Sequence, residues 1–84
     1  MSEKKNEEIY MLKIFTKNNC GQCKITKYHL KSIGIEIDEE VNVDHDEKYL
    51  EEARATGYSS MPIVLLDGKV IASGFQPDQL NKLI

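Results

Sequence analysis

The sequence contains no apolar run approaching the roughly 18 residues of a membrane-spanning helix. Its opening, Met1-Ser-Glu-Lys-Lys-Asn-Glu-Glu, lacks the apolar core of a secretory signal. A cytoplasmic protein without membrane association is expected. Positive charge is not in excess: 11 Lys and Arg face 14 Asp and Glu, for a net charge of -3. That balance argues against general binding to nucleic acid or anionic lipid and leaves proteins or small molecules as partners. Cysteine is scarce, at two in 84 residues, which excludes a disulfide-stapled mini-protein. No repeat or low-complexity tract is present. The length suits one small domain, so one core with an exposed site is expected, in a monomer, rather than two domains closing on a substrate. What remains is ordinary folded composition, 40% hydrophobic and 30% charged.

Residues 1–8 read as a polar tail and residues 9–84 as the domain. Ile9 to Thr16 is rich in aliphatic and aromatic residues, as a strand buried on one or both faces would be. After Lys17-Asn18-Asn19-Cys20-Gly21, the residues Cys23, Thr26, Leu30 and Ile33 recur at helical spacing, and Gly34 supplies a left-handed stop. Ile35, Ile37, Val41 and Val43 share one parity of a second strand ending at Asp44, although Glu39 falls on the same parity and weakens its start. Asp44 or Asp46 can cap a second helix from Glu47 to Ala55, closed by Gly57, with Tyr49, Leu50 and Ala53 inward. Ile63 to Leu66 and Val70 to Ala72 flank Asp67-Gly68, the dipeptide of a two-residue hairpin turn. Gly74 ends that strand, and Pro77 opens a last helix with Leu80, Leu83 and Ile84 as its apolar stripe. The order is β-α-β-α-β-β-α, an α/β domain with one mixed four-stranded sheet and helices on its faces.

Cys20-Gly21-Gln22-Cys23 lies where a buried strand passes into a helix. Cys20 then sits at the helix N-terminus, where unpaired N–H groups and the macrodipole favour a thiolate. It is expected to be the exposed nucleophile, ionising below the free-thiol value of about 8.5. Cys23, a turn further in, is expected to be more buried and able to attack a mixed disulfide at Cys20. Lys17 and Lys24 bracket the pair and either add positive potential or are simply solvated. Zinc is the competing use of such a pair, but His29 and His45 are not at the close spacing of a second ligand pair, and His29 belongs to the helix of Cys23. No metal is expected, and both histidines are placed on solvated faces.

Met61-Pro62 stands at the start of the Ile63 strand, where proline is tolerated; a cis bond there would leave the Met61 backbone free to pair with a partner peptide. Ser73-Gly74-Phe75 follows the last strand, with Phe75 either a core aromatic or, if exposed, an interaction anchor.

At these residues the chain resembles the NrdH-type redoxins, a glutaredoxin-like group of the thioredoxin-fold superfamily. Strand-Cys20-x-Gln22-Cys23-helix, Gly57-Tyr58 leading to Pro62-Ile63-Val64, and Ser73-Gly74-Phe75-x-Pro77-Asp78 are similar to that family's motifs and occur in the same order, from about Ile9 to Ile84. The resemblance implies a thioredoxin/glutaredoxin fold, a cis Pro62 beside the disulfide, Cys20 as attacking and Cys23 as resolving thiol. It also implies reduction by thioredoxin reductase with NADPH, no bound cofactor, and electron delivery to the large subunit of a class Ib ribonucleotide reductase. The partner-binding set is Lys17, Gly21, Gln22, Met61, Pro62, Ser73, Gly74 and Phe75. Gly21, Ala72 and Gln76 depart from the family pattern, which commonly has a bulkier residue, a Trp and a basic residue there. The glutathione site of conventional glutaredoxins looks incomplete in Phe75-Gln76-Pro77-Asp78. The rivals are a glutathione-dependent glutaredoxin and, from another class, a metal-binding or redox-sensing interaction module.

Overall fold

A computed structural model of the protein describes residues 11–84. The expected tail over residues 1–8, and the first two residues of the expected first strand, Ile9 and Tyr10, lie outside the described residues. Strand β1 (Leu12–Thr16) is the centre of the sheet, and four of its five side chains are buried. Helix α1 (Gly21–Ser32) follows, then β2 (Glu39–Asn42), α2 (Glu47–Ala55), the hairpin strands β3 (Ile63–Leu66) and β4 (Lys69–Ser73), and α3 (Pro77–Leu80), which runs into a 3-10 turn at Asn81–Leu83. The sheet order is β2-β1-β3-β4, with β1 parallel to β2 and antiparallel to β3. The expected order and mixed four-stranded sheet are therefore what the chain forms.

Alternation along β1 divides the core in two, because successive side chains of a strand point to opposite faces. Leu12 and Ile14 pack with Leu30 of α1, Val64, Ala72 and Leu80 of α3. Phe15 packs on the other face with Val41, Val43, Ile63, Leu65 and Ala53 of α2. At the hairpin, Asp67 (φ 52°) and Gly68 (φ 86°) are both left-handed, as its two-residue turn requires.

Two expectations are corrected and one open alternative is resolved. The second strand begins at Glu39: Ile35 and Ile37 keep their inward parity and stay half-buried against the core, but they precede the ladder, which starts where Glu39 pairs with Lys13. Ile84 does not join the last apolar stripe; it is 74% exposed beyond the 3-10 turn, while Leu80 is fully buried. Of the two candidate caps for α2, Asp46 accepts from the Lys48 N–H, and Asp44 has another task.

Register assembles the site. Phe15, near the end of β1, pairs with Ile63 at the start of β3, and Ile63 pairs with Ser73 at the end of β4. The loop carrying Cys20, the Met61-Pro62 dipeptide and the Ser73-Gly74-Phe75 segment thus meet at one end of the sheet.

Candidate active site

Between β1 and α1 the chain turns through Asn19 (φ 55°). The Asp44 carboxylate holds this loop, accepting from the Asn18 N–H at 2.8 Å, while Asn42 donates its side-chain amide to Asn18 at 3.0 Å. Cys20 is then the extended N-cap of α1, and its Sγ accepts from the Cys23 N–H at 3.1 Å. A sulfur therefore occupies the place that a Ser or Asp oxygen usually takes at a helix start. Cys20 and Cys23 are bonded to each other with their Cα atoms 5.2 Å apart, inside the range that a disulfide spans without moving backbone.

The expectation of an exposed Cys20 is corrected. The residue is 8% exposed and Cys23 3%, so their order is as expected, but both are largely enclosed. The Cys20 sulfur caps the first helical turn, and Asn19, Gln22, Ser60 and Met61 help wall a recess of about 300 Å³ beside it. Lys17 and Gly21 line the same recess. Gly21 has open space where a Cβ would point, so the bulkier residue common there in similar proteins would be accommodated. Lys24 is exposed outside the recess.

The Met61-Pro62 bond is cis, as the resemblance implies. Pro62 is buried, and Met61, half-buried, reaches the recess. The Pro62 carbonyl accepts from the Gly74 N–H at 2.8 Å, and the Ser60 carbonyl accepts from that same N–H and from the Ser73 hydroxyl. Gln22 joins this frame to the cysteines: its Oε1 accepts from the Phe75 N–H at 2.8 Å, across 53 positions of sequence. A Cβ on Gly74 would lie 3.1 Å from that same oxygen.

Phe75 is half-buried rather than free-standing, its ring and the His29 imidazole meeting in a T-shaped contact at a centroid distance of 5.9 Å. His29 is thereby also corrected. It is half-buried, with Nε2 at 2.8 Å from Asn81 Oδ1, because α3 returns across this side of α1. His45 is exposed as expected. Sequence reasoning also missed Asn19, the chain neighbour of Cys20, and Ser59 and Ser60, which carry no signal beyond polarity and reach the recess beside the disulfide only through the register of β3 and β4.

This fold, with a bonded Cys-x-x-Cys pair seated at the N-terminus of the helix after the first strand, defines a thiol–disulfide oxidoreductase of the thioredoxin fold. The glutaredoxin family model matches residues 12–71. The glutaredoxin-like protein NrdH of Salmonella typhimurium is 43% identical over 70 residues, covering 83% of this chain and 84% of its own. The Lactococcus lactis subsp. lactis protein of the same description is 36% identical over 73 residues, covering 87% and 99%. The solved structure of NrdH-redoxin from Escherichia coli matches with a TM-score of 0.78 at 35% identity over 88% of this chain and 95% of that one. The chain belongs to the glutaredoxin family, among its NrdH-type redoxins.

Proposed function

We propose that the protein is a cytoplasmic dithiol electron carrier between proteins, reduced by thioredoxin reductase at the expense of NADPH and oxidised by the large subunit of a class Ib ribonucleotide reductase. It works as a monomer with no bound cofactor. In the reduced form the Cys20 thiolate, at the N-terminus of α1, attacks a sulfur of the client disulfide. The client bond breaks, a mixed disulfide forms at Cys20 and one client thiolate leaves. The Cys23 thiolate then attacks the Cys20 sulfur, releasing the second client thiol and closing the Cys20–Cys23 bond. Two electrons pass to the client, and its two thiolates take up the protons given up by the two cysteine thiols. Lys17, Gly21, Gln22 and Met61, on the recess, meet the client chain, half-buried Ser73 and Phe75 lie beside them, and buried Pro62 and Gly74 hold that surface in place.

The observation that carries this reading is how the segment after β4 spends its polar groups. The Phe75 N–H is taken by Gln22, the Gln76 side-chain oxygen accepts from the Ser73 N–H at 2.9 Å, and Pro77 has no N–H. Glutathione carries two carboxylates and an ammonium, and desolvated charges need fixed partners at both ends. From Phe75 to Asp78 there is one acid and no cation. The Escherichia coli relative, moreover, is described as having a thioredoxin-like activity profile. Among the described residues no helix is long and apolar enough to cross a membrane.

The test supplies the same oxidised protein with NADPH and either thioredoxin reductase or glutathione plus glutathione reductase, and follows NADPH oxidation. Turnover should be far faster with thioredoxin reductase. Comparable or faster turnover with glutathione would make the protein a conventional glutaredoxin in activity, with Lys17 holding one glutathione carboxylate.

A further inference from the structure

Helix α1 turns one apolar stripe away from the core. Cys23, Thr26 and Leu30 are buried, and helical spacing sets Gly21, Ile25 and Tyr28 along the opposite side. Ile25 is 50% exposed and Tyr28 75%. Isolated exposed apolar residues are common. These two are neighbours on a stripe whose first residue, Gly21, lines the recess beside Cys20, so the apolar surface is continuous with the place where a reacting partner must sit.

The stripe is flanked by cations. Lys24 and Lys31 are exposed beside it and make no ion pair among the described residues, whereas Lys27, on the sheet side, is held by Glu40 at 2.8 Å. From Lys17 to Ile35 the sequence has four lysines and no acid, in a chain of net charge -3. Positive potential is thus concentrated on the one helix that begins at the disulfide.

We propose that Ile25 and Tyr28, flanked by Lys24 and Lys31, dock an acidic segment of the partner protein adjoining the cysteine that meets Cys20, with an apolar side chain of that segment seated on the crest. This rests on the dithiol-exchange reading. Seven residues of helix from Gly21 to Tyr28 span about 10 Å, so extended chain covers the distance in about three residues. Partner acids three to five positions from the reacting cysteine therefore fall beside Lys24 and Lys31.

The test uses the reduced protein and two synthetic peptides, each with one cysteine in mixed disulfide with 2-mercaptoethanol. One carries Glu-Glu-Leu starting three residues from the cysteine and the other Lys-Lys-Leu. Rates of protein oxidation are expressed relative to that with bis(2-hydroxyethyl) disulfide, which cancels changes in intrinsic thiol reactivity. The acidic peptide should react about tenfold faster than the basic one, with the advantage shrinking at high salt. Lys31→Glu should remove most of that advantage, and Tyr28→Ser should lower the relative rate of both peptides severalfold. Equal rates for the two peptides, or an advantage that survives both substitutions, would overturn the docking surface while leaving dithiol exchange intact. No oxidation by any of the three disulfides would overturn the exchange reading and the docking with it.

Discussion

Gly74 is fixed by two independent demands. Its φ of 76° is left-handed, and a Cβ there would press within 3.1 Å of the Gln22 oxygen that holds the Phe75 N–H. Gly74→Ala should cost about 1–2 kcal/mol from backbone strain alone, read as a lowered urea midpoint with unchanged slope. It should also displace Gln22, slowing client reduction beyond what the lost stability explains; normal kinetics in the folded variant would show that the Gln22 link does not position the disulfide. At Cys23 the expected outcome is qualitative. Cys23→Ser should accumulate a mixed disulfide between Cys20 and a protein client, detectable as a covalent adduct on non-reducing gels, because Ser cannot resolve it. Full turnover by the variant would mean that resolution comes from elsewhere, as in glutathione-dependent chemistry.

Helix α1 was legible in the sequence because three signals agree: the inward spacing of Cys23, Thr26 and Leu30, the cysteine at its start, and Gly34 after its end, which is left-handed at φ 82°. Its inner face nevertheless holds a conflict. The Thr26 hydroxyl is fully buried and has no hydrogen-bond partner among the described residues. A buried donor left unpaired costs about 1–3 kcal/mol, so Thr26→Val, nearly the same shape, should raise the unfolding free energy by about 1 kcal/mol in urea titration; a loss of stability would mean that the hydroxyl is satisfied in solution. The short strand β2 was less legible, since parity alone cannot tell an inward-facing approach at Ile35 and Ile37 from ladder pairing that begins at Glu39. The site showed the same divide. Cys20 and Cys23 stood out through their local motif, and Gln22 and the cis Pro62 through the family resemblance, whereas Ser60 and His29 acquire partners only when the hairpin and α3 fold back. Nothing local distinguishes a histidine that meets Phe75 from one that meets water.

For the molecule as a whole, the disulfide is a small constraint. It joins residues three positions apart within the first turn of a helix, and so short a loop restricts the unfolded chain by only about 2 kcal/mol in the loop-entropy account. Urea unfolding with and without dithiothreitol at one pH should therefore differ by no more than about that amount; a larger loss on reduction would make the bond a structural staple. The fold rests on the two packed faces of the sheet, so it can persist while the cysteines change state. The rims of that sheet have a consequence of their own. One rim, β2, is four residues long and carries Glu39 and Glu40, both exposed. The other, β4, opens on exposed Lys69 and pairs with β3 through a register irregularity at Val64 and Leu65. Charge, brevity and a broken ladder are the devices that discourage strand addition. Copies of this chain are thereby discouraged from adding to one another rim to rim and growing into fibrils.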